Sequence, residues 1–499
     1  MTKPIHGAFA GALLTAALIA VSYAGWKIAG LPFAPFDIFD WIVRLLPGAF
    51  VTRVVETDVL IARAIGVSSI GAATKAGDQV MALAGLVFTG AVSGALLFLL
   101  LQLSNEPAVL FGAILGAILG CLSLIAEVHL QRLPAHSLDA GAWVVATCLG
   151  WGISFGWVHD RLCGVLASEG RPAATHDQAL QTTRRRFLVR FSAATLSITA
   201  TTTSVAALVS RRGRLSTAAR WSDTHALPNE ASRVIPVPGT RAEFTRLEDH
   251  YRVDTNTRAP QLDIDAWRLT SGGLVDRPGA LTLADLRALP ATHQFITLSC
   301  ISNPVGGDLI GTSRWSGVSL QQLLPALAVK TSATHLKVTS ADGFFEVVAL
   351  DAVRSDPRIM LAYDWDGIPL STEHGFPLRL YVPDLYGMKQ PKWIVAIEAL
   401  DHWVPGFWVS RGWDKEGHVA TTAAVDTAVR RGRVIEVGGF AYAGARGISR
   451  VEVRADQREW QPAQIREPLS ETTWVVWRAE FDLPGDQHRF EARAFDIHA

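Results

Sequence analysis

Cysteine is scarce in this chain: four residues among 499, at Cys121, Cys148, Cys163 and Cys300. The first two lie within apolar stretches and the third just beyond one, so no disulfide framework is indicated. Net charge is absent as well, 46 basic residues being matched by 46 acidic ones, which argues against a nucleic-acid partner. No Cys-x-x-Cys-His occurs, so the attachment motif for covalent haem is missing. Charged residues make up only 18% of the chain and are placed unevenly. About the first two hundred residues are mostly apolar, and the remainder has the composition of ordinary globular protein. A chain of 499 residues is too long for one core, so several domains are expected.

What the N-terminal part has is apolar length. Five runs, at about 7–29, 79–103, 107–127, 139–158 and 187–209, approach the roughly 20 residues that a bilayer requires. Region 1–209 therefore reads as an N-terminal α-helical transmembrane bundle. Gly112, Gly116 and Gly120 recur at four-residue spacing, a pattern that lets helices approach closely. Between Leu31 and Ile70, Asp37, Asp40, Arg44 and Pro47 interrupt the apolar run Phe33–Phe50, which predicts an interfacial or re-entrant helix. The few charged or broken mid-membrane segments argue against a transporter. His6, His129, His136 and His159 fall near span ends rather than as facing mid-membrane pairs, so they read as interfacial histidines before haem ligands. Thr183-Arg184-Arg185-Arg186-Phe187-Leu188 resembles the twin-arginine export signal, which implies a downstream domain exported folded and already loaded. Arg161, Arg171 and the arginine triplet mark the 159–186 loop as cytoplasmic, so the expectation is a multi-pass protein of a bacterial cell membrane with its C-terminal domain on the extracytoplasmic side.

Beyond a polar linker at 210–242, the pattern changes to short alternating strands, glycine turns and a few amphipathic helices, which predicts an α+β domain over 243–430. Leu320–Leu327 reads as helix; Leu336–Thr339 and Leu378–Val382 read as strands. Cys300 stands alone in this domain, so it is an inert buried thiol, a nucleophile or a metal ligand. Arg379 sits inside an apolar strand, where an unpaired charge is costly. Over 431–499, alternation in Val434–Val437, Val451–Arg454, Trp474–Trp477 and Phe490–Ala494 predicts an immunoglobulin-like β-sandwich.

Three separated stretches carry a family likeness. The first is Cys300-Ile301-Ser302-Asn303 with Gly306-Gly307-Asp308-Leu309-Ile310-Gly311 and Trp315-Ser316-Gly317-Val318-Ser319-Leu320. The second is Leu361-Ala362-Tyr363-Asp364-Trp365-Asp366-Gly367-Ile368-Pro369-Leu370. The third is His374-Gly375-Phe376-Pro377-Leu378-Arg379-Leu380, continuing through Tyr386-Gly387-Met388-Lys389 to Lys392-Trp393. In order and spacing the chain, over about 243–499, resembles the sulfite oxidase family of molybdopterin-dependent oxidoreductases.

That resemblance implies a sulfite-oxidase-like molybdopterin domain in which Cys300 supplies the thiolate to molybdenum, a soft ligand for such a centre. It implies cofactor contacts from Tyr251, Arg252, His374, Arg379, Gly387, Met388, Lys389 and Lys392, although Leu247 stands near the place of a customary asparagine. It also implies a C-terminal module used for packing or for a homodimer, and an electron partner that is a cytochrome or linked to quinol. The implied reaction is two-electron oxygen-atom transfer on a small oxyanion or sulfur compound. Ile301-Ser302-Asn303-Pro304 replaces the arginines that sulfite oxidases carry soon after the cysteine, and the first arginine is Arg314. A sulfoxide reductase is therefore as well supported as a sulfite oxidase. A catalytically degenerate binding or assembly protein is the remaining alternative; the presence of Cys300 and Arg379 counts against it. Trp408, Arg411, Gly412 and Trp413 are candidates for the wall of a substrate funnel or for surface aromatic packing.

Overall fold

The structure is a computed structural model that describes residues 4–64, 70–103, 106–130, 138–167, 189–204, 219–485 and 487–498. The chain divides into two units, one of Met1–Leu45, Ala76–Ser216 and Thr255–Arg258, the other of Leu46–Lys75, Thr217–Asp254 and Ala259–Ala499. The N-terminal helices are α1 (Pro4–Ala29), α2 (Ala34–Leu45), α3 (Gly48–Ala64), α4 (Ile70–Leu100), α5 (Ala108–His129), α6 (Leu138–Ala167) and α7 (189–204). Four helices among the described residues are long and apolar enough to cross a membrane: Pro4–Ala29, Lys75–Leu100, Ala108–His129 and Leu138–Leu162. The fifth predicted span is helical over 189–204, and its flanks lie outside the described residues together with the twin-arginine-like segment.

The glycine spacing in α5 has the consequence expected of it. A Cβ on Gly112 would strike the Gly152 carbonyl, and one on Gly116 the backbone at Cys148, so α5 and α6 meet backbone to backbone. Gly7 and Gly11 of α1 meet Gly94 and Gly90 of α4 in the same way. The predicted single helix across Phe33–Phe50 is instead two, α2 ending at Leu45 and α3 starting at Gly48.

The charges that break this run have partners far along the chain. Arg258 Nη2 lies 2.8 Å from Asp37 Oδ2, the Thr257 N–H donates to Asp40 at 2.8 Å, and Arg44 donates to Asn256 at 2.8 Å. Asp37 and Asp40 are fully buried. A buried carboxylate is tolerated only when paired. Arg258→Met is therefore expected to lower the stability of the helical unit by about 3 kcal/mol, and the double variant with Asp37→Leu to recover most of it. Thermal unfolding in detergent measures both.

The second unit contains β1 (Leu269–Gly273), β2 (Gly279–Leu281), β3 (Thr292–Ser299), β4 (Ile310–Ser319), β5 (His335–Ser340), β6 (Phe345–Ala349), β7 (Met360–Trp365), β8 (Ile368–Pro369), β9 (Arg379–Tyr381) and β10 (Ile394–Leu400). One sheet has the order β2-β1-β10-β5-β6, with β1 and β10 parallel. The other has the order β3-β4-β7-β8, with β9 added beside β7. Helices α8 (Leu283–Arg287), α9 (Leu320–Leu327) and α10 (Leu350–Ser355) join the core between them. The alternation of strand side chains sorts this second sheet into two faces. Leu361, Leu378 and Leu380 enter the main core, whereas Met360, Ala362, Trp315, Trp365 and Tyr381 pack on the other side. Arg379, between Leu378 and Leu380, is thereby turned away from the main core.

Strands β11 (Thr422–Arg431), β12 (Val434–Tyr442), β13 (Ile448–Ala455), β14 (Gln461–Pro462), β15 (Gln464–Ile465), β16 (Val475–Asp482) and β17 (Phe490–Asp496) form two antiparallel sheets, β11-β12-β16-β15 and β14-β13-β17. Val437, Val451, Val453 and Trp477 close one core between them. The Tyr442 hydroxyl donates to the Thr297 carbonyl at 2.7 Å, linking these strands to β3. Part of the stretch that reads as linker is also docked: Ser222 Oγ donates to Asp366 at 2.6 Å, and Trp221 packs against Phe295.

Candidate active site

Strand β3 ends at Ser299 and delivers Cys300 into a tight loop. The Cys300 N–H donates to the Leu309 carbonyl at 2.9 Å, the Asn303 N–H to the Cys300 carbonyl at 3.0 Å, and the Leu309 N–H to Asn303 Oδ1 at 2.9 Å. Cys300 is buried with Leu309, against Tyr251 and Val253. Burial pushes its thiol up, while the Ser302 N–H and hydroxyl favour the thiolate. A sulfur with two donors aimed at it is poised to be held as an anion once a positive centre is present.

An aromatic and imidazole wall stands beside this loop. Trp315 and Trp365 stack with ring centroids 4.8 Å apart, and His374 meets Trp365 edge-on at 4.3 Å. His250 stacks on Tyr251 at 5.1 Å and lies flat on β4, where a side chain at Gly311 would strike its ring. Burial lowers the His250 pKa to about 4, and burial together with His250 keeps His374 well below the ordinary imidazole range. Both rings are therefore neutral at pH 7.

Cations gather against this wall. Arg379 is buried, its guanidinium 4.7 Å from the Trp315 ring, and its one hydrogen bond among the described residues runs to the His374 carbonyl at 3.2 Å. Burial lowers its pKa to about 10. Lys392 Nζ lies 3.1 Å from Asp254 and donates to the Glu373 carbonyl at 3.0 Å; burial lowers its pKa to about 8. Gly375, at φ 112°, sits between these two cations; a Cβ there would come within 3.1 Å of both side chains. Asp254 also pairs with Arg252 at 3.0 Å and Lys75 at 3.4 Å. Burial works against its carboxylate, but Lys392, Lys75 and Arg252 together hold the pKa well below the usual range.

The structure thus brings Tyr251, Arg252, Cys300, His374, Arg379 and Lys392 into one neighbourhood. Gly387 joins them, a Cβ at that position falling 3.3 Å from the Tyr251 hydroxyl and 3.5 Å from the Ser299 carbonyl. Met388 is buried beside it in the short helix Gly387–Lys389. Lys389 is directed elsewhere: its ammonium lies 3.2 Å from buried Glu346, with Gly417 against its stem. Burial pushes the Glu346 carboxyl up against the pull of Lys389. Leu247, in place of the customary asparagine, packs on the Trp315–Trp365 cluster. Arg314 points at the Trp221 ring, 5.0 Å away. Asp342-Gly343 is the turn joining β5 to β6, and Trp408 and Trp413 stack on each other at 4.2 Å. His250, Asp254, Trp315 and Trp365 were missed as candidate site residues, although Trp315 and Trp365 lie within stretches that carry the family likeness and His250 and Asp254 flank Tyr251 and Arg252.

The site calls for an anionic group with many polar edges. Among the described residues, Arg252 Nη2, His250 Nε2 and His374 Nε2 are buried without a hydrogen-bond partner. Arg379 has no carboxylate partner among the described residues, and such a buried cation is costly until an anion meets it. A pterin with its phosphate satisfies both demands, so the residues present fit molybdopterin.

Neutral His250 and His374 also set an acid limit. The fall of the His250 pKa from 6.5 to about 4 means that the folded state binds fewer protons than the unfolded chain between those values. Stability is full above pH 6.5 and is lost as pH falls towards 4, by on the order of 3 kcal/mol for this histidine. Urea midpoints of cofactor-free protein, followed by tryptophan fluorescence at pH 7 and pH 4.5, are expected to show the drop, and His250→Phe to reduce it.

Comparison with known proteins settles the family. The oxidoreductase molybdopterin binding domain matches residues 256–408. Mitochondrial sulfite oxidase of Rattus norvegicus is 30% identical over 289 residues, covering 46% of this chain and 51% of the relative. The uncharacterized oxidoreductase YuiH of Bacillus subtilis is 32% identical over 155 residues, covering 31% of this chain and 76% of the relative. The chain belongs to the sulfite oxidase family of molybdopterin-dependent oxidoreductases. Another similar protein, the putative protein-methionine-sulfoxide reductase subunit YedZ1 of Azospira oryzae, is 30% identical over 154 residues, covering 31% of this chain and 56% of the relative. The chain spans about half the length of the sulfite oxidase relative. Within this sulfite oxidase family member, the matched domain contains Cys300, His374, Arg379 and Lys392, while the His250–Asp254 arm precedes it.

Proposed function

We propose that this protein is a membrane-anchored molybdenum oxidoreductase that transfers an oxygen atom to or from a small oxyanion or sulfur compound. The observation that carries the reading is the cluster of buried Arg379 with half-buried Lys392 and Arg252, near imidazole nitrogens of His250 and His374 that have no hydrogen-bond partner among the described residues, with Tyr251 linking the cluster to Cys300. Cys300 Sγ would hold the metal; Tyr251, Arg252, His374, Arg379, Gly387, Met388 and Lys392 would hold the pterin. Lys389 would join them only by leaving Glu346. When bound, the molybdenum centre supplies the two-electron change and the oxygen exchange. The chain's own contributions are positional. Ser302 donors keep the thiol sulfur ready to act as an anion, neutral His374 offers Nε2 as donor or acceptor, and Arg379, seated on the Trp315 face, would offer its positive charge to an anion.

A sulfoxide as substrate has specific support. No arginine falls between Cys300 and Arg314, and Arg314 is turned to Trp221, so the arginines that the resemblance leads one to expect soon after the cysteine are absent from that stretch. YedZ1, a putative protein-methionine-sulfoxide reductase subunit, is among the relatives. The deciding experiment screens loaded protein against sulfite with an artificial acceptor and against sulfoxides with an artificial donor. Turnover of neither class would sink the reading.

The apolar helices α1, α4, α5 and α6 support a multi-pass anchor in a bacterial cell membrane, and the Arg184–Arg186 cluster supports export of the loaded domain to the extracytoplasmic face. A cytochrome or quinol-linked carrier would exchange electrons there. The C-terminal two-sheet module is proposed as immunoglobulin-like and as the site of packing or homodimer formation. Arg184→Lys combined with Arg185→Lys is expected to strand the catalytic domain inside. Protection from external protease in spheroplasts reports this, and unchanged digestion refutes the export route.

A further inference from the structure

The helical unit contains a cleft of about 530 Å³ lined by three helices, each offering one stripe of residues. Helix α1 contributes Leu14 to Val21, α6 contributes Thr147 to Val158, and α7 contributes Arg190 to Ile198. From Thr147 to Val158 the wall is about 16 Å long at 1.5 Å per residue, the scale of an extended acyl chain. Space at the wall is real: a Cβ on Gly150 would meet nothing within 4 Å.

The hydroxyls on the walls are engaged by the helices themselves. Thr147 donates to the Trp143 carbonyl at 2.8 Å, Ser154 to Gly150 at 2.7 Å and Thr195 to Phe191 at 2.9 Å. The Trp151 indole N–H donates to Thr15 at 3.0 Å. A ligand deep in the cleft therefore meets an apolar surface whose Thr147, Ser154, Thr195 and Trp151 donors are already committed, which suits hydrocarbon.

Among the described residues, charge sits at one end. Arg190 lines the cleft there, and the Arg161 guanidinium lies 5.5 Å from the ring of Trp157, another lining residue. Neither arginine forms an ion pair among the described residues, and the acidic neighbour Asp160 lies 3.4 Å from His159. An apolar slot with two cations and an indole at its mouth matches one kind of molecule, an amphiphile with a long tail and an anionic head.

We infer that this cleft is a binding site for an anionic phospholipid, its acyl chain lying against α1, α6 and α7 and its phosphate between Arg161 and Arg190. The inference rests on the helical unit being embedded in a membrane, and it is independent of the molybdenum site. The test uses the full chain, purified in detergent and re-equilibrated with dioleoylphosphatidylglycerol or dioleoylphosphatidylcholine, with retained lipid counted by native mass spectrometry. One phosphatidylglycerol per chain is expected, preferred over phosphatidylcholine by about tenfold or more, the effect of two charges. Arg161→Gln with Arg190→Gln is expected to remove the preference, and Gly150→Leu to remove the lipid by filling the slot. Equal retention of both lipids means an adventitious lipid only and overturns the proposal. So does unchanged retention in Gly150→Leu, or displacement of the lipid by an equimolar short-chain quinone. Extraction of the chain from membranes by alkaline carbonate would instead refute the membrane reading itself. Resistance to carbonate without lipid selectivity would refute the lipid site alone.

Discussion

Cys300→Ala is expected to yield a folded protein with no turnover of sulfite or sulfoxide and with one sulfur fewer at the molybdenum. Removing even a supporting partner of a metal ligand costs about 10- to 100-fold, so removal of the thiolate itself should exceed that. The loss is not expected to spread into the fold. Cys300 contributes to a small cluster with Leu309, Tyr251 and Val253, and its loop is pinned by backbone and Asn303 hydrogen bonds that the substitution leaves in place. Nor does it touch the cations, so pterin is expected to remain together with the metal it carries. Metal analysis and pterin fluorescence on the same sample check this, and X-ray absorption at molybdenum counts its sulfur neighbours. An unchanged sulfur count in the variant would remove Cys300 from the centre.

Arg379→Met is expected to change stability in opposite directions with and without cofactor. In the empty protein Arg379 is a buried guanidinium held by one carbonyl and an indole face. Replacing it with an apolar side chain of similar length removes a desolvated charge and is expected to stabilise cofactor-free protein by about 1–3 kcal/mol. In the loaded protein the same change deletes a charge-assisted contact worth about 2–5 kcal/mol, so cofactor affinity should fall by roughly 30-fold to several thousandfold. Thermal shifts of empty and loaded protein, measured side by side, give the two signs. A destabilised empty variant would mean that Arg379 serves the fold rather than an anion.

Local pattern made much of this legible. Leu320–Leu327 is helical as its composition implies, and the glycine spacing of α5 became the close contact with α6. The single Cys300 and the motifs around it pointed to the candidate site, because a family signature is a property of consecutive residues. Pairings across the chain were not legible. Glu346 and Lys389 stand 43 positions apart, and nothing local announces that this lysine is engaged by a carboxylate. Asp37 and Asp40 looked like interruptions of an apolar run because their partners, Arg258 and Thr257, lie more than two hundred residues later. His250 was passed over for a related reason: its role comes from lying flat on Gly311 between Tyr251 and Trp365, a geometry that only the folded sheet creates.

The tetrapeptide Thr255–Arg258 belongs structurally with the upstream helices, although residues on both sides of it belong with the catalytic sheets, and Leu46–Lys75 is the reverse loan. A single scissile point therefore separates no intact body from another. An expression clone started at residue 217 would leave Arg258 and Thr257 reaching for aspartates that were never translated. It would also deprive Asp254 of Lys75. A water-soluble version of this enzyme needs those ends redesigned, not merely trimmed.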